Sequence, residues 1–389
     1  MKDKILAAVY ILGWALATGD CFSPNPATPI SARRRQAEAS VVVRSSNEDG
    51  DSDEPLVIPT SDVVKKVAVT GATGKTGKLV VEELLSRNVQ VVGLVRNETK
   101  AEELYGGSPS DMLDIQVCNL SDPSSIEEAL EGCDATIWCA TGFSDAPGGP
   151  PTTTVMSSEQ SIDVVGVPVV AKTMLRNSGS EEREQAFPNV VMLSSAGTTR
   201  PGWDEEKKDR LRGCADIPIV RLNPFGILGL KAESEAKLRD TGADYCIVRP
   251  CGLNDNWPEG ARPVVSQGDV AVGRINRRDV SRILCDVLSL PEALHKTFEV
   301  LGLGGYPPPS SIGPALERLR TDSEPPSEAE VEATYLALQQ LLPGERQDAA
   351  ALAMGQTYEQ LDRGETGRLG ERGTENVDAA GIKPTTAAA

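Results

Sequence analysis

Residues Val67–Gly77 read Val-Ala-Val-Thr-Gly-Ala-Thr-Gly-Lys-Thr-Gly. An apolar run passes straight into a Gly-x-x-Gly-x-x-Gly bend. Helix-spaced apolar residues Leu79, Val80, Leu84 and Leu85 follow at once, and a second apolar run, Val89–Val95, comes next. Glycine is required where a turn is tight and where backbone must come close to a pyrophosphate. A helix starting there offers its free N–H groups and the positive end of its dipole to that phosphate. The strand–bend–helix–strand context separates this stretch from an ordinary glycine-rich loop. It predicts a dinucleotide turn contacted through Gly71, Thr73, Gly74, Lys75, Thr76 and Gly77.

The second run ends at Arg96. A fold that prefers NAD places Asp or Glu near this strand end to hold the ribose 2′-hydroxyl; a guanidinium there suits a 2′-phosphate instead. NADP(H) is therefore expected, with Lys75 as a second cation; solvated surface charges are the alternative reading of both. A third strand over Ile115–Asn119 brings Asn119 and Leu120 to the adenine side. A fourth over Ala135–Cys139 leads to Ala140 and Thr141, small residues that let the cofactor ribose lie close to backbone. These four positions follow from place in the β–α series, and each has an ordinary strand end as its alternative.

The 389 residues carry a formal net charge of −18, which argues against a basic nucleic-acid-binding face. Much of the acidity lies at the edges, in Glu48, Asp49, Asp51, Asp53 and Glu54 and around and beyond Pro325. The eight cysteines form no Cys-x-x-Cys, which predicts neither a zinc site nor a disulfide framework; a redox thiol at Cys246 or Cys251 is the minor reading. His295 is the single histidine. It has no second histidine for a metal pair and reads as an edge residue, so a serine hydrolase or histidine-ligated metalloenzyme is not expected.

The ends read as addresses and linkers. A charged start, Met1–Lys4, precedes an apolar run, Ile5–Ala17, of signal-peptide length. Phe22–Ala37 is rich in Ser, Pro and Arg and has no acidic residue. The pair resembles the two-part plastid presequence of algae with secondary plastids, and so implies the stroma; a secreted protein with a disordered N-terminus is the alternative reading. The expected organisation is a signal peptide over 1–21, a transit peptide and acidic linker over 22–62, a folded unit over 63–320, and a mostly disordered acidic tail over 321–389. One helix is expected in that tail near Glu328–Leu342. No integral membrane span is expected in the mature chain.

Within the folded unit the alternation continues. Val190–Ser194 is a strand ending in Ser194-Ser195, Leu228–Thr241 a helix, Tyr245–Val248 a strand, and Arg277-Arg278-Asp279-Val280 opens a later helix. Alternating strands and helices predict an α/β fold with a doubly wound parallel sheet (Rossmann), a single domain with a small C-terminal substrate lobe.

The chain resembles the atypical short-chain dehydrogenase/reductase superfamily, in its NmrA-like branch. The resemblance rests on the turn Thr70–Gly77, Ser194-Ser195, the block Lys231–Glu235 with Thr241-Gly242-Ala243-Asp244-Tyr245, Arg249-Pro250-Cys251-Gly252-Leu253 and Arg278-Asp279-Val280. Active members of the superfamily use Ser, Tyr and Lys, the last two as Tyr-x-x-x-Lys. The resemblance places the lysine at Lys231 and the serine at Ser195 or its neighbour Ser194. Four residues before Lys231 stands Ile227, which cannot exchange a proton, and Tyr245 begins the next strand and reads as packing. Two functions follow. One is an NADP(H)-binding cofactor sensor or assembly factor of a plastid protein complex, with Lys231 as a ribose-hydroxyl ligand. The other is an NADPH-dependent reductase of a small organic substrate that uses Lys231 as its proton group. A reductase would enclose its substrate between Pro250 and Val272, with Asn254 or Trp257 lining the pocket.

Overall fold

In the computed structural model the described residues are 58–106, 111–141, 157–177, 185–215, 217–223 and 226–341. The expected signal and transit segments as far as residue 57, Gly142–Phe143 and the chain beyond Leu341 lie outside them. Ten strands are described: β1 (Lys66–Thr70), β2 (Gln90–Val95), β3 (Leu113–Val117), β4 (Ala135–Trp138), β5 (Val190–Leu193), β6 (Tyr245–Pro250), β7 (Gly252–Leu253), β8 (Arg262–Ser266), β9 (Arg274–Ile275) and β10 (Lys296–Leu303). Eight of them form one sheet in the order β3-β2-β1-β4-β5-β6-β10-β8. All neighbours pair in parallel except β8, which runs antiparallel to β10.

Helices cover both faces, which is why β1, β2, β4 and β5 are near-continuous apolar runs rather than alternating. Along β1, Val67 and Val69 face α1 (Gly77–Ser86) and α6 (Arg277–Asp286), where Val80, Leu84, Ile283 and Leu284 complete one core. Ala68 faces the other way, toward α3 (Pro123–Ala129) and α4 (Ile162–Asn177), where Ile126, Val167, Val170 and Met174 pack with Trp138 of β4. Helix starts follow local capping chemistry. Asn97 accepts from the Lys100 amide at the start of α2 (Glu98–Tyr105), Asp122 caps α3 with Pro123 in its first turn, and Asn276 caps α6.

The order has one functional consequence. After β1 the chain moves outward through β2 and β3, then returns to β4 on the other side of β1. The crossovers diverge there, and a crevice opens beyond the carboxyl ends of β1 and β4.

A smaller lobe with its own core follows β6. Cys251, Val270, Ala271 and Leu301 pack with Leu211 and Cys214 and with Val331 and Leu338 of α7 (Glu328–Leu341). Gly268 has φ +98°, and a Cβ there would lie 2.7 Å from Val331 Cγ2, so α7 rests directly on that turn. Tyr335 accepts a hydrogen bond from the Gly213 amide at 3.0 Å. The packed structure therefore reaches Leu338, past the boundary that composition places at Arg320. Composition understates this helix because few of its side chains bury, chiefly Val331 and Leu338, two turns apart. No helix among the described residues is long and apolar enough to cross a membrane.

Candidate functional site

The glycine bend is built by steric necessity. Gly71 has φ +65°, and a Cβ on it would lie 2.9 Å from Ala140 Cα, so β1 and β4 meet at that point backbone to backbone. A Cβ on Gly77 would come within 2.2 Å of the Gly71 carbonyl oxygen, and one on Gly74 within 3.0 Å of the same atom. The Gly71 and Ala72 amides donate to the Leu94 carbonyl at 3.0 and 3.3 Å, which ties the bend to β2. Thr70 Oγ1 accepts from the Cys139 and Ala140 amides at 3.1 Å each, which ties it to β4. Tyr105 donates its hydroxyl to the Ala72 carbonyl at 2.7 Å.

Helix α1 then starts without a side-chain cap at Thr76, unlike the Asn- and Asp-capped helices, and without an acidic residue in its first turn. The Lys78 and Leu79 amides already donate to the Gly74 and Thr76 carbonyls at 3.1 and 3.0 Å, so it is the turn up to Gly77 that faces an anion, and the dipole favours one. Thr73 and Gly74 are half-buried and Lys75 is exposed, whereas Thr76 and Gly77 are buried in the turn itself. A turn where a Cβ would collide, joined to an uncapped helix start, fits a pyrophosphate.

Arg96 is exposed one residue past the end of β2 and makes no ion pair with any described residue. Asn119 is exposed two residues past the end of β3. Its Oδ1 accepts from the Ser121 amide at 3.1 Å, so the side-chain NH₂ is the group left to face outward. Leu120 backs onto α4, where a Cβ at Gly166 would lie 2.6 Å from its carbonyl oxygen. Ala140 is buried against Gly71, and Thr141 beside it is exposed. The third, fourth and fifth strands each end one or two residues before the sequence pattern suggests. The chain leaves the ladder there to form the lip of the crevice.

Lys231 lies on α5 (Ile227–Arg239) with its ammonium 3.5 Å from Oδ1 of Asp163, a fully buried residue of α4. Trp138 donates its indole N–H to the same oxygen at 3.0 Å, and Ser234 donates to the Asp163 carbonyl at 2.6 Å. Burial pushes the Cys139 thiol up to about 12, with the nearby Lys231 charge acting in the opposite direction. Lys231 thus stands beside the end of β4, on the same lip as Ala140.

The two serines separate. Ser194 is buried and donates to Glu235 Oε1 at 2.5 Å. Ser195 is half-buried and donates to the Ala196 carbonyl at 3.0 Å; no hydrogen bond joins it to Lys231. Ile227 is the buried first residue of α5. Tyr245 opens β6, at the end of the sheet away from the crevice. It donates to Asp322 at 2.9 Å and packs on the half-buried His295 ring, and burial followed by the Asp322 charge pushes its phenol upward. Trp257 is committed to the smaller lobe, donating to the Gly302 carbonyl at 3.0 Å beneath the Arg274 guanidinium. Asn254 is buried, with its Oδ1 accepting from the Asn256 amide at 2.8 Å.

A belt of buried charge escapes reading from sequence. Glu235 pairs with Arg249 through Nε at 2.9 Å and through a closer contact from the second guanidinium nitrogen. Glu299, opposite Arg249 on β10, accepts from Ser266 at 2.9 Å and from the Asp269 amide at 3.0 Å. Asp269 in turn accepts from the amides of Gly197 at 2.6 Å and Thr199 at 2.8 Å, and fully buried Arg200 donates to the carbonyls of Asp269, Cys214 and Ala271. Burial first, and the Asp269 charge second, push the Glu299 carboxyl up to about 7. The belt fixes the loop after β5 and closes off Ser194. The seven described cysteines are all free, and burial raises the Cys246 thiol. No group of three or more metal-ligating side chains occurs among the described residues.

A family model described as NAD(P)H-binding matches residues 71–291, which begin at the glycine bend and end beyond α6. An uncharacterised chloroplastic protein of Arabidopsis thaliana is 29% identical over 245 residues, 62% of this chain and 79% of its own. The sanguinarine reductase of Eschscholzia californica is 28% identical over 267 residues, 62% of this chain and 90% of its own. Among solved structures, an oxidoreductase of Lactococcus lactis superposes with a TM-score of 0.46 at 17% identity, covering 65% of this chain and 96% of its own.

Proposed function

We propose that this chain, which belongs to the NAD(P)H-binding family, holds NADP(H) in the β1–β4 crevice and serves in the plastid stroma as a cofactor-sensing or complex-assembly factor. The bend Gly71–Gly77 and the α1 amides take the pyrophosphate, Arg96 and Lys75 the 2′-phosphate, Asn119 and Leu120 the adenine side, and Ala140 and Thr141 the ribose. Lys231 donates to the nicotinamide-side ribose hydroxyls. When bound, the cofactor would supply hydride chemistry; the chain itself supplies binding and orientation.

One observation carries the choice of a binder over a tyrosine-dependent reductase. Buried Ile227 stands where the proton-exchanging phenol belongs, and Tyr245 is tied to Asp322 at the far end of the sheet. A second reading, a reductase with Lys231 as proton group and Ser195 beside it, draws support from the similarity to the sanguinarine reductase. The plastid assignment draws on the resemblance of the N-terminal residues to a two-part presequence and on the chloroplastic relative, and a reporter carried by residues 1–62 tests it.

Titration of the purified protein with NADPH and NADH, followed by a screen of carbonyl and enone substrates, tests the function. NADPH binds and no substrate oxidises it. Arg96→Ala weakens NADPH about tenfold and leaves NADH unchanged, since a forked guanidinium–phosphate contact is lost. Equal affinity for both cofactors, untouched by Arg96→Ala, removes the NADP assignment. Turnover that Lys231→Ala abolishes establishes the reductase.

A further inference from the structure

We infer that Asp163 is the positioning residue of the cofactor site: its carboxylate holds the Lys231 ammonium at the lip of β4, where the cofactor ribose must pass. This rests on the reading of Lys231 as a ribose ligand.

Asp163 is fully buried in the first turn of α4. A buried carboxylate is costly unless it is paired. Its Oδ1 accepts the Trp138 indole N–H and lies 3.5 Å from the Lys231 ammonium, while its Oδ2 accepts no hydrogen bond among the described residues. An asparagine would accept the indole N–H equally well. The negative charge, as distinct from the shape, is therefore directed at Lys231 alone.

The surrounding contacts make the placement rigid. Ser234, nearly one turn after Lys231 on α5, donates to the Asp163 backbone carbonyl and locks α5 to α4. The Trp138 ring lies on Gly166, nearly one turn after Asp163, where a Cβ would approach the ring to 2.7 Å. Thus α4, α5 and β4 are joined around one carboxylate, and β4 continues through Cys139 into Ala140, which abuts the glycine bend. An ammonium has three hydrogens; the Asp163 contact uses one, and two remain for the hydroxyls of a ribose.

A double-mutant cycle on the full protein tests this, with NADPH affinity read by fluorescence and folding by thermal melting. Asp163→Asn keeps the shape and the indole acceptor but removes the charge, and it weakens NADPH about tenfold. Lys231→Met also weakens NADPH, and adding Asp163→Asn to it produces no further loss, because Asp163 acts through Lys231. Trp138→Phe keeps the pair and binds NADPH within about threefold of wild type, a readout that stands even if Asp163→Asn fails to fold. Unchanged or tighter binding by Asp163→Asn overturns the inference. So does an equal loss in both backgrounds, or a Trp138→Phe protein as weak as Asp163→Asn, since either makes Asp163 a packing residue. A Lys231→Met protein that binds NADPH normally removes the underlying reading of Lys231 as well. Loss in Lys231→Met without loss in Asp163→Asn removes only the role of Asp163.

Discussion

The β1–β4 crevice and the charge belt around β6 and β10 use polar groups in opposite ways. The crevice is assembled almost wholly from backbone: glycines at which a Cβ would collide, amides at an uncapped helix start, and a lone exposed guanidinium at the end of β2. The belt is assembled from side chains that satisfy one another. Glu235, Arg249, Asp269, Glu299 and Arg200 come from five separate segments and are all buried. Open donors beside a cation describe a surface awaiting an anion. Closed, reciprocal pairs describe a joint. The molecule thus separates the part that receives a ligand from the part that fixes the β5 loop and joins the smaller lobe to the sheet.

If that division is right, the belt is where a single substitution costs most. Arg249→Met leaves Glu235 without its main counter-ion in a buried site, and should destabilise by about 3–5 kcal/mol. Adding Glu235→Leu should return much of the loss, because the charge that required compensation is then gone. Urea unfolding of the three proteins decides this. A single variant as stable as wild type would mean that the pair is solvated in solution and that the belt is no joint.

The crevice should fail by geometry instead. Gly77→Ala directs a methyl group at the Gly71 carbonyl, where 2.2 Å is available, and should destabilise by about 3 kcal/mol through overpacking, with loss of NADPH binding. Gly132→Ala is the comparison. Gly132, unlike Gly77, has positive φ, at +69°, but a Cβ there meets nothing within 4 Å, so only the backbone cost of about 1 kcal/mol applies. Melting temperatures and NADPH titration separate the two. Equal behaviour would show that the bend yields to a methyl group and is less tightly built than its contacts imply.

The same contrast explains what could be read from sequence. The glycine bend is legible because its constraint is local: Gly71, Gly74 and Gly77 crowd one carbonyl or one neighbouring strand, and the spacing records it. The parallel alternation and the helix at Glu328–Leu341 are legible from periodicity, with strand ends misplaced by one or two residues where the chain leaves the ladder to form the lip. Asp163 and Lys231 meet across 68 residues, so no spacing shows them together. A lone carboxylate inside the apolar stretch Ile162–Val170 was the available signal, since such a residue must find a partner. Arg249 and Glu299 become neighbours only through the pairing of β6 with β10, and Asp269 meets Arg200 only through the loop that β8 turns. The choice between Ser194 and Ser195 depended on the same belt, because Glu235 engages Ser194.

The smallest effect probes the belt by charge rather than by breakage. The Glu299 carboxyl stands at about 7 in the folded protein, against an ordinary value of 4.5. Burial is the main cause and the Asp269 charge the next, while Arg249, Ser266 and Arg200 act against them. Below pH 4.5 the group is protonated in both folded and unfolded chains and contributes no pH dependence. Between 4.5 and 7 the unfolded chain releases its proton first, so this group's share of stability falls as pH rises; above 7 both forms are ionised and the loss is constant. Glu299→Gln imitates the protonated form, with an amide able to meet Ser266 and accept from the Asp269 amide. Denaturant unfolding at pH 5 and pH 8 should show a decline of about 1–3 kcal/mol in wild type that is reduced in the variant. The difference between the two proteins isolates Glu299 from the other acidic groups that titrate over the same range. Parallel pH profiles would mean that Glu299 is already ionised at pH 5, held so by Arg249, and that the belt is a fully charged network.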